Sequence, residues 1–278
     1  MKFEIHCHSC YSRGSKIPTE GIPRPGDIVR HAKSIGLSGI AITDHGTIKS
    51  WKPASDEAKR QGIMFIPAVE LQTREGHLIA LGINEPVENL LGFAESVEKI
   101  RDAGGIAVAP HPFDIRGEGV RMLAKEADAV EIFNSLNLDL VANRMALSKF
   151  GKSPIPKVVG SDAHTLKMIG RSVNIMEAND IDSVLKAIVK GRVTWETGYI
   201  SLDEVIDWAR ERLGASKEEV MAYARSNYSA PKAWLYRKML KKFLVTGNAP
   251  WRALAGISLA AVIGYGTATA FFDSVRPV

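Results

Sequence analysis

Short apolar runs alternate with amphipathic stretches along the first two-thirds of the chain. Phe3–His8, Gly39–Thr43, Met64–Glu70, Leu78–Ile83, Ile106–Ala109, Ala129–Phe133, Val158–Gly160 and Ser172–Met176 have the length and aliphatic content of strands. Asp27–Ile35, Ser50–Gln61, Val87–Ala103, Val120–Lys125, Leu138–Phe150 and Ile181–Val189 carry apolar positions at helical spacing. Strands separated by helices predict an α/β fold with a largely parallel sheet. The number of units suits a closed or distorted barrel better than a short open sheet. After about Tyr199 the alternation stops. Leu202–Leu213 and Lys217–Val245 then read as helices, and Ala253–Phe272 is twenty residues without a charge.

Composition sharpens this division. A chain of 278 residues, 45% hydrophobic, buries one large core with room for an appendage. The net charge of +5 is unevenly placed: Arg210–Arg252 holds 10 Lys/Arg against 3 Asp/Glu, leaving 26 against 28 elsewhere. The basic character thus belongs to the C-terminal segment and is weak support for nucleic acid at a catalytic face. Cys7 and Cys10 make no disulfide framework, and Met1-Lys2-Phe3-Glu4 shows no signal-peptide pattern, so a reducing, cytoplasmic setting is expected. The uncharged run has the length of one bilayer crossing, diluted by Gly, Ser and Thr. Arg252, the preceding lysines, Trp251 and Tyr236 have the make-up of an interfacial anchor. The expected organisation is a barrel over 1–198, a basic helical extension over 199–250, and an apolar helix over 251–272. That last helix either spans a membrane, anchoring the protein at the cytoplasmic face, or packs against the barrel.

Six of the seven histidines fall in clusters with carboxylates. These are His6-Cys7-His8, Asp44-His45, Glu70 with His77, His111 in Ala-Pro-His-Pro, and Asp162-Ala163-His164. His31 lies outside the set, on a helix with Arg30 and Lys33. Neutral imidazole with carboxylate and almost no thiolate suits Mn, Zn or Fe. His6/His8, His45, Glu70, His111 and Asp162/His164 come at or just past the ends of expected strands, the end at which barrels build active sites. Residues two apart on an extended strand share a side, so His6 and His8 can grip one ion, while Cys7 points into the core. Glu70 has two oxygens and can bridge a pair of ions.

The ordered HxH, TDH, Glu-then-His, HP and SDAH motifs resemble the polymerase and histidinol phosphatase (PHP) family of metal-dependent phosphoesterases, over roughly residues 1–198. The resemblance implies a distorted (β/α)7 barrel with a C-terminal extension, holding two to three divalent metal ions. It implies that His6, His8, Glu70 and Asp162 bind one ion, Glu70, His77 and His111 a second, and His45 and His164 a third. A hydroxide between two such ions is a nucleophile at neutral pH. Many relatives place an acidic or histidine ligand for the third ion a few residues past HxH, where this chain has Arg13. Arg13 therefore either weakens that site or grips a phosphate. Tyr11-Ser12-Arg13 also resembles the PHP part of an archaeal endonuclease, whose cysteine-rich zinc parts this chain lacks the cysteines to build.

Further candidates are Arg116, which follows the His111 loop and can clamp a phosphate bidentately, and Asp44, placed to orient a metal-bound histidine. Asn134 and Asn143 resemble positions that shape the site. Arg171 reads more simply as a salt bridge and Lys16 as a lone loop charge. The expected function is hydrolysis of a small phosphorylated substrate. The alternatives are a nuclease acting on DNA or RNA, a non-catalytic metal-binding scaffold at a membrane, and hydrolysis of a C–N bond.

Overall fold

The computed structural model describes residues 1–14 and 17–275, the side chains of residues 262 and 265–275 excepted; Lys16 lies outside the described residues. The barrel portion runs β1 (Lys2–Glu4), α1 (Pro25–Ser34), β2 (Gly39–Ile42), α2 (Trp51–Gln61), β3 (Met64–Gln72), β4 (His77–Leu81), α3 (Phe93–Asp102), β5 (Ile106–Ala109), β6 (Ala129–Asn134), α4 (Val141–Phe150), β7 (Lys157–Gly160), β8 (Val173–Ile175), α5 (Ile181–Val189) and β9 (Thr194–Glu196). The strands form one sheet in the order β7-β6-β5-β4-β3-β2-β1-β8-β9, and β1 to β7 curl into a nearly closed, distorted barrel.

Alternation along each strand sorts its side chains. On β3, Ile66 and Ala68 join the cluster that includes Val184 and Ile188 of α5, while Val69 and Leu71 join the cluster under α3 and α4. The inward series Ile66, Ala68, Glu70 thus climbs from an apolar floor to a charged rim. Ala129 and Glu131 on β6 do the same, and so do Leu81, Ile79 and His77 on β4. Helix α5, started by an Asp180/Ser183 capping box, plugs the floor.

The expected sheet was largely parallel, but β4 runs antiparallel to both β3 and β5. Only four residues separate Gln72 from His77, too few for a parallel crossover. The reversal puts the start of β4, and with it His77, at the end where the parallel strands finish. The helix expected from Val87 begins only at Phe93, because Leu90 takes a left-handed conformation and Gly92 caps the start. Likewise Lys217–Val245 is two helices, divided at Ser229 and Pro231.

The barrel closes where β1 runs out. Asp162 N donates to His6 O (2.9 Å) and His8 N to Ala163 O (2.8 Å), so the chain beyond β1 meets the chain beyond β7 at the candidate residues themselves. Lower down, the Asn174 side chain replaces a strand: Val159 N donates to its Oδ1 (3.0 Å) and its Nδ2 donates to Val159 O (2.7 Å).

Beyond the barrel lie α6 (Leu202–Ala215), α7 (Lys217–Asn227), α8 (Ala230–Val245) and α9 (Asn248–Val275). The expected membrane crossing over 253–272 and the membrane partner find no support. Among the described residues no helix is long and apolar enough to cross a membrane, and the far part of the segment lies outside the described side chains. The residues read as an interfacial anchor have tertiary partners instead. Arg252 pairs with Asp203 of α6 (Nη2–Oδ2 2.5 Å), Trp251 Nε1 donates to Thr246 Oγ1 (2.6 Å), and the Tyr236 ring packs on Tyr228.

Glu4 sits buried beneath the seam, accepting from the amides of His6 (3.2 Å), Ser161 (3.3 Å) and Gly170 (3.2 Å). Burial pushes its carboxyl up to about 7 in spite of these bonds. A carboxyl raised above its unfolded value keeps full stability below that value and loses it as pH rises through about 7, by at most ~3 kcal/mol. Urea unfolding at pH 5.5 and 8.5 in the presence of chelator is expected to show a smaller loss for Glu4→Gln than for the wild type.

Candidate metal centre

Six strand ends deliver one cluster. His6 and His8 follow β1, His45 follows β2, Glu70 lies on β3, His77 opens β4, His111 follows β5, and Asp162 and His164 follow β7. At its centre the fully buried Glu70 carboxylate faces five imidazoles. Oε2 lies 3.5 Å from His6 Nε2, 3.3 Å from His8 Nε2 and 3.4 Å from His45 Nδ1; Oε1 lies 2.9 Å from His77 Nδ1 and 3.2 Å from His111 Nε2. Asp162 Oδ1 is 3.2 Å from His8 Nε2 and 3.6 Å from His6 Nε2. The structure therefore brings together all eight residues expected as ligands.

Backbone strain marks the same loops. His111 (φ 28°) and Asp162 (φ 53°) occupy left-handed conformations that non-glycine residues seldom adopt, and such strain concentrates at functional sites. His164 is held by its Nδ1 against Asp162 O (2.8 Å) and stacks on His8, ring centroids 4.4 Å apart.

The electrostatics are those of a site built for cations. Burial alone would raise Glu70 and Asp162, but the imidazoles around them hold both well below the usual carboxylate range. The same carboxylates overcome burial at His8 and raise it to about 10, whereas burial, with His8 and His77 adding to it, pushes His45 down to about 3.

Several buried atoms around the centre have no hydrogen-bond partner: His6 Nε2, His8 Nε2, Glu70 Oε2, His77 Nδ1 and Glu20 Oε2. Folded proteins leave few such groups unsatisfied, and these converge. Four sets have donor atoms within 4.8 Å of one another: His6/His8/Glu70, His6/His111/Asp162, His8/Asp162/His164 and His45/Glu70/His77. The residues fit divalent ions with nitrogen and oxygen ligands.

Comparison with known proteins agrees. The PHP domain model matches residues 4–125 and the PHP-associated model residues 141–193. An uncharacterized protein of Methanocaldococcus jannaschii is 34% identical over 155 residues, covering 54% of this chain and 91% of its own length. The chain belongs to the PHP family. A 3',5'-nucleoside bisphosphate phosphatase of Chromobacterium violaceum is 34% identical over 103 residues, 36% of this chain and 33% of that protein. Among solved structures, a putative metal-dependent phosphoesterase of Bifidobacterium adolescentis shares the fold. Its TM-score is 0.51 at 17% identity, covering 72% of this chain and 97% of that one.

Within this PHP site three residues had escaped the sequence reading. One is Glu20, an acidic residue beyond Arg13 whose Oε2 lies 3.3 Å from His45 Nε2. Arg13 pairs with Thr19, and Glu20 stands twelve positions after His8, so close spacing is the wrong signal for it. Arg13 itself is exposed on the rim. Glu131 accepts from His6 Nδ1 (2.9 Å) and from His111 N (2.8 Å), fixing two candidate ligands at once. Gly160 makes room for it, since a Cβ there would meet Glu131 Oε1 at 2.0 Å. Ser12 Oγ lies 3.0 Å from His8 Nδ1.

Other residues settle differently. Asp44, expected to orient a histidine, instead accepts from Ser9 N (2.6 Å) and Ser9 Oγ (2.7 Å), anchoring the loop after His8. Asn134 donates to Glu131 (2.9 Å) and its amide donates to Asn143 Oδ1 (2.9 Å), so this pair braces the rim. Arg116 lies with Asp114 (2.6 Å) and Glu118 (3.1 Å), its Nη2 3.9 Å from Asp162. Arg171 pairs with Glu204 of α6 (2.6 Å), away from the centre, and Cys7 is buried against Ala41 O.

An imidazole raised to about 10 must lose its proton to bind an ion, so metal affinity is expected to climb with pH from 6 to 9. Calorimetric Mn titrations in buffers of different ionisation enthalpy are expected to show at least about one proton released per chain at pH 7.

Proposed function

We propose that the chain is a metal-dependent phosphoesterase that hydrolyses a phosphate ester on a small phosphorylated substrate. The observation that carries this reading is the single buried carboxylate, Glu70, faced by five imidazoles, three of which (His6 Nε2, His8 Nε2 and His77 Nδ1) turn an unsatisfied ring nitrogen toward it. His6, His8, Glu70 and Asp162 would hold one ion, Glu70, His77 and His111 a second, and Glu20, His45 and His164 a third. When bound, such ions supply Lewis acidity and lower the pKa of water.

The surroundings favour a phosphate. Beside the centre opens a cavity of about 480 Å³, lined by Arg13, Arg116 and Arg212 as well as by His45, His77 and Glu20. Three guanidiniums beside a cation-binding centre make a strongly attractive pocket for an oxyanion. Arg116, braced by Asp114 and Glu118, presents its planar fork at the rim, where it can grip two phosphoryl oxygens and stabilise charge that develops on them. Glu70 and His111 are occupied with the cation site and act as ligands, not as free bases. The phosphatase named among the relatives supports a phosphoester substrate for this chain as well.

An oligonucleotide substrate is the second reading. It is supported by α8, whose five basic residues meet no acidic one within the helix, with Lys232 and Lys238 lying over the Tyr228 and Trp234 rings.

Metal-stripped protein reloaded with Mn, Zn or Fe is expected to hydrolyse members of a panel of phosphomonoesters, phosphodiesters and nucleotides. Cleavage confined to DNA or RNA would select the nuclease, and silence across the panel would refute the phosphoesterase. His8→Ala and Asp162→Ala are each expected to cost at least about 10³-fold in kcat with the circular dichroism spectrum retained. Arg116→Ala is expected to lower kcat/KM by roughly 10²-fold; an unchanged value would remove it from the reaction.

A further inference from the structure

Helix α6 lies outside the residues matched by either family model, yet it reaches the centre. A capping box of Ser201 and Glu204 starts it, and the Arg171–Glu204 pair fixes that end to the barrel. Trp208 and Arg212 stand one turn apart on the same face, and Ser216, the residue that caps the C-terminus of the helix, follows four positions later. All three grip the loop that carries Glu20. Trp208 Nε1 donates to Glu20 O (2.8 Å), Arg212 Nε donates to Thr19 O (3.2 Å), and Ser216 Oγ accepts from Thr19 N (2.8 Å). The Trp208 ring also packs on His164 (4.4 Å), and the Arg212 guanidinium lies over that ring (4.7 Å).

Simple packing would not need three directed bonds to consecutive backbone groups. Their effect falls on one side chain. Glu20 Oε1 turns toward Arg212 Nη2 (3.9 Å), while the buried Oε2 faces His45 Nε2 and has no hydrogen-bond partner. On the far side the loop is pressed against the chain end that follows His8, for a Cβ on Gly21 would meet Ser9 O at 2.1 Å.

We propose that α6 is a positioning element of the metal centre, Trp208, Arg212 and the capping Ser216 clamping the Thr19–Gly21 stretch so that Glu20 stays beside His45 and His164 as the ligand of a third ion. This rests on the metal-centre reading above. The C-terminal helices are then part of the site, and Arg212 acts on the ion through Glu20.

The test measures Mn binding to the metal-stripped full chain by calorimetry and by metal analysis after dialysis, with no activity readout. Glu20→Gln and Arg212→Ala are each expected to weaken the weakest Mn step by at least about tenfold and to leave the tighter steps unchanged. Trp208→Phe, which keeps the ring and removes the N–H, is expected to weaken the same step by a smaller factor. Arg212→Lys restores the charge without the Nε bond and is expected to rescue only part. Metal-free unfolding midpoints report folding, and if Arg212→Ala does not fold, Trp208→Phe decides alone. Wild-type binding by both α6 variants, with the Glu20→Gln step weakened, would overturn the clamp and leave the metal centre standing. Wild-type binding by Glu20→Gln would remove Glu20 from the centre and the clamp with it.

Discussion

A carboxylate with no access to water is tolerable only if positive charge or donors surround it, and Glu70 is such a group. It ends the inward series of β3, one step above Ala68 and two above the apolar plug. The charge cannot be solvated there, so the neighbouring strands must answer it. They do so with imidazoles: His77 comes from the same alternation that fills the floor below with aliphatics, while His6, His8, His45 and His111 follow the ends of β1, β2 and β5, His111 on left-handed backbone. On β3, β4 and β6 floor and rim therefore have one cause: the pleat turns alternate residues inward, and the depth of each decides whether it must be apolar or polar.

Closure of the barrel depends on the same residues. The bonds that join β1 to β7 run from His6, His8, Asp162 and Ala163, so the seam and the candidate centre share one stretch of backbone. Glu131 ties a third strand to both, through the ring of His6 and the amide of His111. Anything that moves the seam moves the donor atoms.

Much of this was legible in the sequence, and what was not has physical reasons. Strands with aliphatic runs and helices with apolar stripes announce themselves through local periodicity. The histidine clusters announce the chemistry because imidazole beside carboxylate is seldom needed for packing. The direction of β4 was hidden because its apolar run reads the same either way, although the four-residue gap after Gln72 held the clue. Glu20 was missed because its position depends on a loop excursion that spacing does not encode. Glu131 read as one more acidic residue in a strand, and only its parity with Ala129 could have turned it inward. The membrane expectation finds no support, for a related reason. Arg252, Trp251 and Tyr236 have the composition of an anchor, but composition does not reveal Asp203, Thr246 and Tyr228 waiting as partners.

The seam carries a consequence for how the chain comes into being. His6 and His8 are made well before the Asp162 that joins them, which lies more than 150 positions later. A contact of long reach is thus also the one that completes the centre, and contacts of this kind form late and slowly. The N-terminal histidines therefore take up the geometry of the centre only with β7 in place, and the distances between the donor atoms belong to the packed strands of the finished barrel.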